Sequence, residues 1–228
     1  MKKLVMMLCL CVGICAPAFC QTGDPNVYRG ELGVKKVIKV MGNNQFLPLL
    51  INNFRAFSSQ AAKNKAVKFA EDQVKAHSTY QSNYNAAIVW ASDADFAGDD
   101  AFGNSMLTAK EAQKAIQYAT VAIDKARQSN YNKAPYMYIV RGYVQMGQCG
   151  YYDPYGKFYI QNERLAQKAL KDFRQAKKLN PNTIPYSQYI DPLKAGLAEF
   201  QQHKQSIARG LRRAAVAGGH LGSGVRRK

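Results

Sequence analysis

The sequence of 228 residues predicts an all-α fold of stacked antiparallel helical hairpins, with about seven or eight helices. Apolar residues recur at helical spacing in segment after segment, while the apolar–polar alternation typical of strands is nearly absent. The pentapeptide Gln-Ser-Asn-Tyr-Asn also occurs twice, at 81–85 and at 128–132. A polar turn that joins successive helical pairs would recur in this way. Chance repetition in a chain rich in Gln, Asn and Tyr is the alternative.

The first twenty residues have the pattern of a secretory signal peptide. Two lysines precede an apolar run from Leu4 to Ile14, and small residues follow it. The run is too short to span a bilayer. A lipoprotein signal is the alternative, but the residues before Cys15 and Cys20 are bulky. We therefore expect residues 1–20 to be removed and the chain to be exported to the periplasm or cell envelope without a lipid anchor.

Two helical regions are predicted between the signal and the C-terminal end. Residues 21–107 form an N-terminal helical region, in which Gln60 to His77 is one candidate helix. Residues 108–210 form the second region. It opens with a helix from Thr108 to Arg127, where Thr108 and Glu111 have capping-box spacing. Further segments follow at 135–146 and 162–179, and Asp191-Pro192 is expected to open the last helix.

The most informative pattern lies between residues 168 and 182. Ala169, Phe173 and Ala176 fall on one stripe of a helix, with a bulky ring between two small residues. The alanines let a neighbouring helix approach closely, and the ring fills the gap. The sequence Asn-Pro-Asn at 180–182 then ends the helix.

This spacing resembles the second helix of a tetratricopeptide repeat. Residues 133–147, centred on Arg141-Gly142, resemble the first helix of such a repeat, and Gly142 allows close approach. The turn between the two helices is expanded into residues 148–161. The resemblance implies a tetratricopeptide-like α-solenoid that binds a protein or peptide and does not catalyse a reaction.

The resemblance also implies that the first helix of a pair lines a concave binding surface. The expanded turn is a second candidate site, because tyrosine offers a large apolar face and one hydroxyl. Its aromatic residues could equally fold back over the ends of adjacent helices. The candidate partner-binding residues are Tyr138, Arg141 and Gln145 on the helix, and Tyr151, Tyr152 and Tyr155 in the turn.

Other constellations favour structural roles. The acidic segment Asp93–Asp100 resembles a calcium loop but lacks two oxygen ligands, so we expect a solvated turn. The cationic side chains of the 162–179 helix are expected to form a solvated face rather than a phosphate track. No motif for a catalytic centre, a cofactor or a metal ion was found.

The formal net charge of +17 is weighted toward the C-terminal end, because residues 201–228 carry a cluster of Lys and Arg and no acidic residue. Residues 211–228 are also rich in Gly and Ala and are expected to be a disordered basic tail. For an exported protein the natural anionic partners are envelope lipids or polysaccharide, and nucleic acid is not expected. The preferred hypothesis is an exported scaffold that binds a protein or peptide. The alternative is an envelope-associated protein whose basic tail binds anionic lipid or polysaccharide.

Overall fold

The computed structural model describes residues 29–35, 55–57, 59–94, 107–128, 134–181 and 186–221. This part of the chain is mostly helical, which confirms the predicted all-α class. Its helices are α1 (29–35), α2 (Gln60–Ala76), α3 (Tyr80–Ala91), α4 (Ala109–Gln128), α5 (Ala134–Cys149), α6 (Glu163–Leu179) and α7 (Ser187–Leu221).

Consecutive helices pack on one another along the chain from α2 to α7. One continuous cluster of buried apolar residues runs through all of these contacts. Within the described residues, no helix is long and apolar enough to cross a membrane. The predicted signal peptide at residues 1–20 lies outside the described part of the chain, as does most of the acidic segment.

The contact between α5 and α6 follows the stripe that the sequence predicts. Ala169, Phe173 and Ala176 are all fully buried. The ring of Phe173 stacks on Tyr189 of α7, with centroids 5.0 Å apart and planes 18° apart. A Cβ atom on Gly142 of α5 would lie 3.4 Å from the Phe173 ring. The small residues therefore bring α5 and α6 together, and the ring between them also holds α7.

Two pairs of short strands, which the sequence did not predict, accompany the helices. β1 (Arg55–Phe57) pairs in parallel with β2 (Asp93–Ala94), although both lie in the region 21–107 that was expected to be helical. β3 (Gly150–Tyr152) and β4 (Phe158–Ile160) form an antiparallel hairpin within the expanded turn.

Local geometry explains the hairpin. A Cβ atom on Gly150 would lie only 2.0 Å from the carbonyl oxygen of Tyr159, so only glycine fits where the two strands meet. At the tip, the carboxylate of Asp153 accepts hydrogen bonds from the backbone N–H groups of Tyr155 and Lys157, each at 2.9 Å. Gly156 has a φ of 80°, a left-handed conformation that glycine adopts without strain.

The first Gln-Ser-Asn-Tyr-Asn copy lies inside α3, so the expectation of a turn at 81–85 is wrong. Thr79 caps α3 in a capping box with Ser82, whose backbone N–H donates to Thr79 Oγ1 at 3.1 Å. Asn83 Nδ2 donates to the carbonyl oxygen of Thr79 at 2.7 Å. The polar residues thus serve the first turn of a helix, a role for which they are as well suited as for a turn. In the second copy, residues 129–132 lie outside the described residues.

The last helix also differs from its prediction. It begins at Ser187 rather than at Asp191-Pro192, because the carbonyl oxygen of Tyr186 accepts the N–H of Ile190 at 2.9 Å and starts the helix one turn earlier. The helix then continues through residues 211–221, which were expected to be disordered. This stretch up to Gly218 is rich in Leu, Arg and Ala, which favour helix, and it contains no proline. Residues 222–228 lie outside the described part.

A buried ion pair joins α2 to the start of α4. The Lys63 side chain is only 2% exposed, and its Nζ donates to Glu111 Oε1 at 2.7 Å. Glu111 Oε2 also accepts the backbone N–H of Thr108 at 2.9 Å, which confirms the predicted capping box. Burial acts to raise the pKa of the Glu111 carboxyl, but the hydrogen bonds from Lys63 and Thr108 outweigh it and lower the pKa below the ordinary 4.5.

Replacing Phe173 by alanine should remove the ring that α5, α6 and α7 share. We expect Phe173→Ala to lower the free energy of unfolding by about 3–5 kcal/mol, measured by chemical denaturation. Leu179→Ala is the matched control, because this apolar side chain lies on the same helix and is exposed. A Phe173→Ala variant whose free energy of unfolding equals that of the control would contradict the packing of this ring between the helices.

The Lys63–Glu111 pair predicts a pH-dependent part of the stability. A carboxyl with a lowered folded-state pKa stabilises the fold above its ordinary pKa of 4.5, and this contribution is lost as pH falls through the lower folded-state value. At pH 7, Glu111→Gln should cost about 3 kcal/mol, because Lys63 loses its partner. The difference from wild type should shrink in acid. Glu199→Gln, which breaks the exposed pair with Lys157, should have little effect at either pH. A Glu111→Gln loss in the free energy of unfolding that is the same at pH 7 and in acid would contradict this prediction.

Candidate functional site

A cavity of about 400 Å³ lies between α4, α5 and α6. Tyr138, Arg141 and Gln145, the three helix residues predicted from the sequence, all line it. The other lining residues are Ile116, Thr120 and Arg127 of α4, and Lys168, Lys171, Asp172 and Gln175 of α6. We call this cavity, with these ten residues, the α4–α6 cavity.

Arg141 joins the three helices that form the α4–α6 cavity. Its Nε donates to Asp172 Oδ2 and its Nη2 donates to Asp172 Oδ1, both at 2.7 Å. Its Nη1 donates to Thr120 Oγ1 of α4 at 3.0 Å. Two parallel hydrogen bonds to one buried carboxylate fix the plane of the guanidinium group. Burial acts to lower the pKa of Arg141, but the bonds to Asp172 outweigh it and raise the pKa, so the group stays charged.

Tyr138 is held between two guanidinium groups. Arg127 lies 5.7 Å and Arg141 lies 5.6 Å from the centroid of its ring. Arg127 Nη2 also donates a hydrogen bond to the Tyr138 hydroxyl. The tyrosine is buried. Its ring therefore orients both arginines through cation–π contacts, and it offers little surface of its own to a partner.

Gln145 is the unusual group in the α4–α6 cavity. Its side chain is only 4% exposed, and its Oε1 atom has no hydrogen-bond partner among the described residues. Buried polar atoms are nearly always paired, and an unpaired acceptor costs about 1–3 kcal/mol. Because Oε1 is shielded from solvent, an N–H or O–H group of a ligand would pair with it once the Gln145 side chain turns toward the cavity.

The lining of the α4–α6 cavity is cationic. The lining holds one carboxylate, that of Asp172, and four cationic side chains, those of Arg127, Arg141, Lys168 and Lys171. The excess is therefore three positive charges. Asp172 is neutralised by Arg141. Lys168 and Lys171 are exposed and form the rim of the cavity on α6. The cavity thus favours a ligand that is anionic at the rim and can donate a hydrogen bond inside.

The three tyrosines of the expanded turn do not line the α4–α6 cavity. Tyr151 is exposed and stacks on Tyr159 across the hairpin, with centroids 5.7 Å apart. Tyr152 is half-buried and packs against Phe158 at 4.9 Å. Tyr155 lies at the hairpin tip and is 94% exposed. The structure therefore separates the six predicted residues into a cavity group and a hairpin group.

The hairpin is itself packed on α7, so the expanded turn folds back on a helix in part, while its role in recognition stays a prediction. Phe158 and Ile160 are buried, and a Cβ atom on Gly196 of α7 would lie 3.1 Å from Ile160. Lys157 pairs with Glu199 of α7 at 2.8 Å. One face of the hairpin packs on α7, while Tyr151 and Tyr155 face solvent.

Sequence reasoning missed Thr120, Arg127 and Asp172, and it assigned Lys168 and Lys171 only to a solvated face. Both lysines are exposed, as expected, but they also form the rim of the cavity. Asp172 carried a usable signal, because it is an acidic residue next to Phe173 at the edge of the apolar stripe. An acidic side chain in that position needs a cationic partner from the facing helix.

Other reactive groups in the described part of the chain do not form a site. No group of three or more His, Cys, Asp or Glu residues there could hold a metal ion. Cys149 is buried, and burial raises the pKa of its thiol to about 12, so it is protonated at neutral pH. Comparison with family models, curated proteins and solved structures gives no match to this chain. The fold and the α4–α6 cavity are therefore the basis for a functional proposal.

Proposed function

We propose that this chain is an exported, non-catalytic scaffold of the periplasm or cell envelope that binds a protein or peptide partner in the α4–α6 cavity. The proposal rests on Gln145, which lines a cavity with a cationic rim and whose buried Oε1 has no hydrogen-bond partner among the described residues. A polypeptide can match both features, because its backbone N–H groups can donate to the glutamine and its acidic side chains can pair with the cationic rim. The size of the cavity is within the range of sites that bind small ligands or a few side chains.

The arrangement of charges supports a binding role rather than a purely structural one. Arg141 and Asp172 satisfy each other, so they set the shape of the cavity without needing a ligand. Lys168 and Lys171 are exposed at the rim. They would attract an acidic segment of a partner, and the buried glutamine would then select a group that can donate a hydrogen bond.

We further propose that the helices form a tetratricopeptide-like α-solenoid. The packing of each helix on the next, from α2 to α7, supports this arrangement. The buried stripe of Ala169, Phe173 and Ala176 supports it as well. Tyr151 and Tyr155 on the solvent side of the hairpin would extend the contact with a larger partner, since exposed tyrosines are well suited to interfaces.

Gln145→Met should separate binding from stability. Methionine has nearly the same volume and no buried acceptor, so the free energy of unfolding should stay constant or rise by about 1–2 kcal/mol. A linear peptide selected on the wild-type chain from a random library should bind the variant about three- to tenfold more weakly, because one hydrogen bond is lost. Fluorescence anisotropy and thermal melts measure the two effects.

Gln188→Met is the control for this experiment, because Gln188 is exposed on α7 and does not line the cavity. Its affinity for the selected peptide should match that of the wild type. Selected peptides that bind the wild type and Gln145→Met equally well would place the binding surface elsewhere. A large loss of stability in Gln145→Met would show that the glutamine is structural.

A further inference from the structure

The second half of α7 extends beyond the packed helices. Residues 202–215 are all exposed and remain helical, a stretch of about 20 Å at the rise of an α-helix. Gly210 lies in its middle, and nothing lies within 4 Å of the position where its Cβ would be. We call residues 202–215 the α7 extension.

The α7 extension has two chemically different faces. At 100° per residue, Ile207, Leu211 and Ala214 lie on one side of the helix, and Arg209, Arg212 and Arg213 lie on the other. Ile207 is 51% exposed and Leu211 is 67% exposed, although both are large and apolar. An exposed apolar stripe opposite a cationic face is typical of helices that lie on membrane surfaces.

The charge of the α7 extension is of one sign. No acidic residue occurs from Gln201 to the end of the chain. Lys204, at the base, pairs with Glu163 of α6 at 3.4 Å. Within the described residues, the structure gives no ion-pair partner to Arg209, Arg212 or Arg213, so three fixed positive charges are available to an anionic surface.

We propose that the α7 extension binds to an anionic lipid surface, with Ile207 and Leu211 in the boundary of the hydrocarbon layer and the arginines at the level of the phosphates. A lipid surface complements both faces of the helix at once. A soluble polysaccharide would pair with the arginines and leave the apolar stripe in water. A second copy of this helix would cover the stripe but bring like charges together. This proposal does not depend on the α4–α6 cavity.

Co-sedimentation of the full chain with vesicles tests the proposal. The chain should bind vesicles that contain phosphatidylglycerol and should bind vesicles of phosphatidylcholine alone far more weakly. Each cation near such a surface contributes about a fivefold factor in affinity. Replacing Arg209, Arg212 and Arg213 by glutamine should therefore reduce binding about a hundredfold at low salt. Added salt should weaken wild-type binding, because it screens the attraction.

The charge control removes three exposed cations from α6 instead. This control replaces Arg164, Arg174 and Lys178 by glutamine. It changes the net charge by the same amount and leaves the α7 extension intact. This variant should retain most of the binding. An equal loss in both triple variants would show a general charge effect and would overturn the proposal.

The apolar stripe is tested by Ile207→Ser combined with Leu211→Ser. Both side chains are exposed, so the fold should persist, which circular dichroism would verify. The double variant should lose vesicle binding at least tenfold while its binding to dextran sulfate is unchanged. Unchanged vesicle binding would point to a polysaccharide or purely electrostatic role and would overturn the proposal. A wild-type dimer in solution that the double variant abolishes would assign the stripe to self-association and would also overturn it.

Discussion

Arg141 and Gly142 are adjacent on α5, and together they fix how α6 lies against it. A Cβ atom on Gly142 would be 3.3 Å from both the carbonyl oxygen of Ala169 and the Cβ of Asp172, so any side chain at this position would crowd α6. Arg141 then reaches Asp172 with two hydrogen bonds and Thr120 of α4 with a third. The glycine sets the distance between the helices, and the arginine connects a third helix to them. The α4–α6 cavity is the space that this arrangement leaves.

The stability of this region and the fixed orientation of its polar groups have different physical origins. The Arg141–Asp172 pair is mostly buried, and such pairs recover little more than the cost of removing two charges from water. The apolar contacts of Phe173 with its neighbours on α5 and α7 supply the net stabilisation. The ion pair instead fixes one orientation of the polar groups around the cavity. The unpaired oxygen of Gln145 works against stability, because a buried acceptor without a donor loses its hydrogen bonds to water.

The parts that could be predicted from the sequence depend on local periodicity. Tyr138, Arg141 and Gln145 are spaced by three and four residues, so helical geometry alone places them on one face. The buried stripe of α6 and the Thr108–Glu111 capping box follow from equally short patterns. The partners across the cavity could not be found in this way, because the pairing of Arg141 with Asp172 depends on how two helices meet.

The failures have separate physical causes. Serine and asparagine suit the first turn of a helix as well as a loop, so the segment at 81–85 could not be assigned from composition. Each strand of the β3–β4 hairpin is only three residues long, which is too short for a periodic pattern. The hairpin depends on the close approach of Gly150 to Tyr159, which the sequence does not reveal. The start of α7 was misplaced because Pro192 suits a first turn but here lies one turn farther into the helix.

Paired alanine substitutions test whether α5 and α6 meet backbone to backbone at Gly142. In an open helix, glycine to alanine stabilises by up to about 1 kcal/mol. Gly210→Ala, where the space is empty, should leave the free energy of unfolding unchanged or raise it slightly. Gly142→Ala should lower it by about 1–3 kcal/mol, because the crowding atoms are a backbone carbonyl and a Cβ, which cannot rotate away. A Gly142→Ala chain that is as stable as the wild type, or more stable, would show that α5 and α6 are not in close contact at Gly142.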